Sequence, residues 1–327
     1  MKRIKSEEKI NLYNLFKHGN CVPWPGDNEP GFLSYKRCPN LWSLGARPYM
    51  DDKDSVALIE DIITCANIAA SAPFQISVSK NNTDNIYINA YKELTSYFKH
   101  LFIYYNNKIN DVDLNSIISN WGWALFFQDI YTDANYDKVV IVSYNYDIWL
   151  ERILSLSHIP FNISEFELNN NEKFQIIKPH GSISFTHKKK LDRISFRIPY
   201  DRELLEISDG EANDFQISYN NLDENYLISA IIPPAGDSSR YNLGWANALR
   251  KLAKEKAAEL TENDELFICG ISYWHVDRAE IDEVLASLNS NVNIKLINPN
   301  PPRALNAVLS SLFDKYLCYT NSDILGE

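Results

Sequence analysis

From residue 138 onward, short apolar runs alternate with segments of helical periodicity. The runs "KVVIVSYN", "FQIIKPHG", "YLISAIIPP", "ELFICGIS" and "NIKLINP" are continuous rather than alternating, which predicts strands covered on both faces. Helical patterns fall between several of them. "WANALRKLAKEKAAEL" (245–260) is rich in strong helix formers. "RAEIDEVLASL" (278–288) places Ile281, Val284, Leu285 and Leu288 on one stripe. "PPRALNAVLSSLF" (301–313) aligns Leu305, Val308, Leu309 and Leu312 behind two prolines suited to a first turn. Strand–helix alternation of this kind predicts an α/β fold, a doubly wound and mostly parallel sheet.

Upstream the texture differs. Residues 1–130 predict a mainly helical and loop region, packed on or inserted in an α/β core that spans 131–327. "CVPWPGDNEPGF" (21–32) is a Pro- and Gly-rich loop. The segment 83–103 reads as a helix, with Thr83 as a cap and Tyr91, Leu94, Phe98 and Leu101 at helical spacing. "LNSIISNWGWALFFQDIY" (114–131) is apolar nearly all round and predicts a buried helix. No internal repeat or low-complexity segment interrupts the chain.

Composition narrows the function classes. The 327 residues carry a formal net charge of −11, with acidic residues spread throughout. Phosphate contacts need clustered Lys and Arg, so direct nucleic-acid binding is not expected. "HKKK" (187–190), the one dense basic patch, reads as a solvated loop in a hairpin. The five cysteines form no C-x-x-C pair, which argues against a structural zinc site, and their odd number argues against a disulfide framework. No metal is expected. No run is long enough to span a bilayer, and "MKRIKSEEKI" leads into no apolar signal core, so the expected setting is a reducing cytoplasm without membrane contact. The 19 tyrosines exceed ordinary packing needs and read as core first, binding surface second.

In an open α/β sheet, ligands bind beyond the carboxyl ends of the strands. The residues closing the predicted strands are Ser143, Asn145, His180, Gly181, Ser182, Gly270, Ser272 and Asn298. Asn145 and Asp147 occupy a strand-to-helix junction, where either can cap the helix. A carboxamide there can equally hold a water against an electrophilic carbon. His180 is either a hydrogen-bonded structural residue or an acid–base group, and Gly181 beside it leaves room for a ligand to approach the backbone. Gly270 and Ser272 can offer an amide and a hydroxyl to phosphate or ribose. Asp277 with Glu280 resembles a capping box. Asn298 is either a turn former before proline or a partner for a ribose hydroxyl.

Taken in order, these segments resemble the sirtuin-like family. The pattern is S-x-N-x-D, K-x-H-G-S, I-I-P-P, I-x-G-x-S…D and I-N-P, over roughly residues 136–300. The nearest likeness is to its bacterial, NAD-consuming branch, many of whose members are associated with anti-phage defence. The resemblance implies NAD as substrate and a glycohydrolase that yields nicotinamide and ADP-ribose. It assigns Asn145 to placing water at the ribose C1′, His180 to acting as base, and Asp147 to supporting the site. Ser143, Gly181, Ser182, Gly270, Ser272 and Asn298 would hold the cofactor. It further implies a homo-oligomer or a partner protein. The zinc module of the deacetylases is absent, which turns the expectation away from deacylation. The family's opening strand and G-A-G-x-S turn are also missing, since neither "SLGARPY" (43–49) nor "PFQISVS" (73–79) supplies them. A second reading follows: an inactive binding or scaffold subunit assembling with an effector or an ATPase.

Overall fold

The computed structural model describes residues 14–71, 85–167, 171–202, 204, 210–233, 244–273, 275–321 and 323–325. Thr83, "PFQISVS" and "MKRIKSEEKI" lie outside the described residues.

Helices dominate the first third: α1 (Pro39–Ser43), α2 (Asp52–Ser71), α3 (Ile86–Lys108), α4 (Asp111–Ile118) and α5 (Gly122–Thr132). The predicted 83–103 helix corresponds to α3, whose cap is Asn85. Its side chain accepts from the amides of Tyr87 and Ile88 at 3.0 and 3.3 Å, two of the donors a helix start leaves unpaired. The expected single helix over 114–131 is instead two. Ser119 and Asn120 turn the chain, and Trp121 is extended (φ −105, ψ 115) before α5 restarts at Gly122. Buried side chains of α1, α2 and α3, among them Leu41, Ile62, Leu94 and Tyr97, form one cluster, to which Ile198 returns from much later in the chain.

The remainder is mixed α/β. Strands β1 (Val139–Val142), β2 (Phe161–Ile163) and β3 (Phe174–Ile177) form a parallel sheet in the order β1-β3-β2, with α6 (Trp149–Leu156) between β1 and β2. Strands β4 (Gly181–His187), β5 (Phe215–Ile217) and β6 (Ser229–Ile231) form an antiparallel sheet in the order β5-β4-β6. The run "YLISAIIPP" therefore does hold a strand, but not one of a parallel sheet. "HKKK" leaves the end of β4, and its antiparallel partner β5 begins only at Phe215, so no tight hairpin forms there.

Helix α7 (Gly244–Ala258) precedes a third sheet, parallel, in the order β7 (Glu265–Cys269), β8 (Asn293–Ile297), β9 (Tyr316–Tyr319). Helices α8 (His275–Ser287) and α9 (Arg303–Leu312) make its crossovers. The stripes read from sequence face inward in part: Ile281 and Leu285 of α8 and Leu305 and Leu309 of α9 are buried together, whereas Leu312, at the end of the second stripe, is exposed. Pro302 caps α9 from outside rather than joining its first turn.

Two strands depart from the expectation of coverage on both faces. Every residue of β1 and of β7 is only half-buried, whereas β3 is buried throughout. Each is an edge, paired on one side only among the described residues. A cavity of about 1070 Å³ is lined by both strands along their whole length.

Candidate functional site

His180 follows β3, and the residues after β1 pack against its ring. Its Nε2 is 2.9 Å from Oε2 of Glu280 on α8, and both residues are buried, 4% and 8% exposed. The ring of Tyr144 lies edge-on to the imidazole at 5.0 Å, and that of Tyr146 stacks at 6.3 Å. Arg250 of α7 approaches the same Glu280 oxygen at 3.7 Å. Burial pushes the Glu280 carboxyl up, but His180 and Arg250 outweigh it and hold the group below its ordinary value. An ionised Glu280 accepts a hydrogen bond from Nε2, which leaves Nδ1 as the ring nitrogen that Glu280 does not engage.

The capping box expected of Asp277 and Glu280 does not form around Asp277 as cap. Helix α8 begins at His275, and the Glu280 side chain is committed to His180. Its signal was present in the sequence. Glu280 lies one turn before Val284, an acid on the otherwise apolar stripe of its helix.

Lys178 of "KPHGS" is the second residue whose role the motif reading left unassigned. Its ammonium donates to Glu151 of α6 at 2.8 Å, to Ser182 Oγ at 3.1 Å and to the Asp147 carbonyl. Lys178 and Glu151 side chains are each 1% exposed. The lysine thus ties the loop after β1 to the start of β4, fixing the position of Asn145 relative to His180.

The other candidates separate into three groups. Ser143, Asn145 and Asp147 line one end of the large cavity. Asn145 is exposed, and its amide donates to Ser143 Oγ at 3.3 Å. Asp147 accepts from the Trp149 amide at 3.0 Å, one residue ahead of Ile148, which holds the cap position of α6. His180 is not among the cavity's lining residues and lies beside Tyr144 and Tyr146.

Gly270 and Ser272 follow β7. Gly270 has φ +63 with nothing within 4 Å of where a Cβ would stand, and Ser272 is exposed. Asn298 is engaged in a turn: its nitrogen donates to the Ile271 carbonyl at 3.4 Å and its oxygen accepts from the Asn300 amide at 2.9 Å. Its carboxamide is occupied by the chain itself, which is the turn-forming alternative.

Gly181 and Ser182 are corrections. The room beside Gly181 (φ +87) is taken by protein, since a Cβ there would lie 1.8 Å from the Ala230 carbonyl oxygen. The glycine is needed for packing rather than for a ligand's approach. Ser182 is 1% exposed and bonds Ser184 Oγ at 2.9 Å as well as Lys178, so its hydroxyl faces the interior.

Among the described residues no group of three or more His, Cys, Asp or Glu is placed to hold a metal ion. The five cysteines are free thiols, and burial pushes Cys269, at the end of β7, up to about 12, far from a thiolate nucleophile at neutral pH. No helix among the described residues is long and apolar enough to cross a membrane. No protein-family model matches the chain, and no curated protein matches it.

Proposed function

We propose that the chain hydrolyses the N-glycosidic bond of NAD, releasing nicotinamide and ADP-ribose. The observation that carries this reading is the buried His180–Glu280 pair, packed against Tyr144 and Tyr146, the chain neighbours of the exposed Asn145. A base oriented by a carboxylate is the arrangement that draws a proton from a water or hydroxyl. In this reading the three sheets belong to a sirtuin-like, doubly wound core. Asn145 holds the water, donating with its nitrogen or accepting with its oxygen. As the bond from C1′ to the nicotinamide nitrogen breaks, the electron pair leaves with nicotinamide and the water oxygen bonds C1′. The water's proton passes to Nδ1 of His180, whose ring Glu280 orients and stabilises once charged. The transition state has oxocarbenium character, as in glycoside hydrolysis. Open space beside Gly270 and the exposed Ser272 suit a phosphate or ribose. Asn298, Gly181 and Ser182 do not take part, because the chain already engages them. Anti-phage defence is the setting that the family likeness suggests.

The test is incubation of the purified chain with NAD, following nicotinamide and ADP-ribose by chromatography. Turnover is expected, and His180→Ala or Asn145→Ala should lower it at least about a hundredfold, the scale of general acid–base catalysis. NAD left intact at every protein concentration removes the reading.

One observation favours a second reading, an inactive subunit that binds a partner effector or ATPase. His180 is 4% exposed, packed against two tyrosines, and does not line the cavity. Calorimetric binding of ADP-ribose without NAD turnover is the outcome that selects it.

A further inference from the structure

The cavity between β1 and β7 has an unusual wall. In a parallel ladder, alternate residues direct both backbone groups to one side. Val139 donates to the Lys173 carbonyl at 2.8 Å and Ser143 to the Ile177 carbonyl at 2.9 Å, so the odd-numbered residues of β1 face β3. Val140 and Val142 therefore turn their N–H and C=O groups away from β3, toward the edge that no strand among the described residues pairs. On the other sheet, Asn293 donates to the Asp264 carbonyl at 3.2 Å, which directs the even-numbered residues of β7 toward β8. Glu265, Phe267 and Cys269 are left facing the other way. Both edges border the same cavity of about 1070 Å³.

The two edges also run in the same direction. At their amino ends, Tyr136 Oη is 3.4 Å from the Glu265 carboxylate. At their carboxyl ends, Tyr144 packs on the cluster that contains Ile271 and Tyr273. The remaining walls are helix side chains, Phe126 and Phe127 of α5, Ile153 of α6, Ala253 of α7 and Ile281 of α8. Unpaired backbone at an edge beside apolar walls is costly, and only an extended polypeptide offers donors and acceptors at the matching repeat on both of its sides. Helix side chains above and below demand apolar residues on both faces of such a strand.

We propose that this cavity receives one β-strand of about five residues, parallel to β1 and β7 and apolar on both faces, supplied by polypeptide outside this 327-residue sequence. The sequence itself decides the source. Outside the described residues it offers "MKRIKSEEKINLY", "APFQISVSKNNTD", "LNN", "LEISD" and "PAGDSSRYNL" as its longer stretches. The first is charged, the second alternates and would present one polar face, and the others are polar or broken by proline and glycine. A second copy of the chain carries the same stretches and is excluded on the same ground. The inserted strand fuses β1-β3-β2 with β7-β8-β9 into one seven-stranded parallel sheet. Its carboxyl end emerges beside Ser143 and Gly270, so whatever follows it enters the candidate site. This inference does not rest on the proposed reaction.

Hydrogen exchange resolved to single amides tests it without reference to activity. In the purified monomeric chain, the amides of Val140, Val142, Phe267 and Cys269 are expected to exchange at least tenfold faster than those of Val139 and Ile141. The probe is a lysine-flanked peptide of six alternating valines and isoleucines, with a proline-centred counterpart as control. The first is expected to slow those four amides at least tenfold and the second to leave them unchanged. Three results overturn the proposal. Protection of the four amides equal to that of Val139 in the monomer alone places another part of this chain in the cavity. Protection that rises with protein concentration without peptide places a second copy there. Equal effects of both peptides, or none, remove strand pairing altogether.

Discussion

Gly181 and Gly270 both have positive φ, yet a side chain would meet different surroundings at each. At Gly270 an added Cβ finds open space, so Gly270→Ala carries only the left-handed backbone penalty, about 1 kcal/mol. At Gly181 the same Cβ falls 1.8 Å from the Ala230 carbonyl oxygen and 2.9 Å from Trp245, where backbone must move. Gly181→Ala is expected to cost more than about 4 kcal/mol or to prevent folding, as clashes in a packed core do. Urea titration of both variants measures the contrast, and equal losses would mean that the Ala230 contact is not rigid. The sequence made both glycines conspicuous but could not tell them apart, because what separates them is a neighbour 49 residues away in one case and empty space in the other. The same limit hid Glu280 and Lys178. Each was visible as a charge within an apolar pattern, while its partner, at a separation of 100 residues for Glu280 and 27 for Lys178, was not.

At the scale of elements, periodicity served well wherever a helix or strand buries a regular stripe, as α3, α7, α8 and α9 do. Each of the five apolar runs holds a strand. Boundaries were set by chemistry of shorter range, such as Asn85 at the start of α3 and the turn at Ser119–Asn120. The join between α3 and α4 depends on a side chain from elsewhere. The Arg152 guanidinium of α6 donates to the Asn106 carbonyl and side chain at 3.1 and 3.0 Å, to the Ile109 carbonyl at 2.5 Å and to Asp111 at 2.6 and 2.9 Å. It satisfies carbonyls that the end of α3 leaves without helix partners. A lysine keeps the charge but loses the planar fork, so Arg152→Lys should lower unfolding free energy by about 1–3 kcal/mol. Arg152→Met should cost more. If lysine proves neutral in urea titration, charge alone holds the join and the directed bonds add nothing.

At the scale of the whole molecule, strand order and direction were only partly legible. Nothing in "YLISAIIPP" distinguishes an antiparallel strand from a parallel one, and a run of apolar residues does not announce that one edge will lack a partner among the described residues. With β1 and β7 apart, the β7–β9 sheet is joined to the rest chiefly through α8 lying on α7, and polar contacts pin that junction. Glu280 meets His180 at 2.9 Å and Arg250 at 3.7 Å, and Lys254 meets Glu283 at 3.0 Å. Because His180 and Arg250 hold the Glu280 carboxyl below its ordinary value of 4.5 despite burial, the folded protein binds that proton less readily than the unfolded chain does. Its contribution is therefore complete above the unfolded value and is lost as pH falls through the depressed one. Glu280→Gln should cost about 1.5–3 kcal/mol near neutrality, the scale of a hydrogen bond to a charged group. The wild type should approach the variant as pH is lowered from the ordinary carboxylate value through the depressed one. Amides of β8 should report the change before those of β3, since β8 belongs to the sheet that the junction anchors. A difference between wild type and variant that stays constant across this range would show that packing, rather than the Glu280 charge, holds α8 against α7.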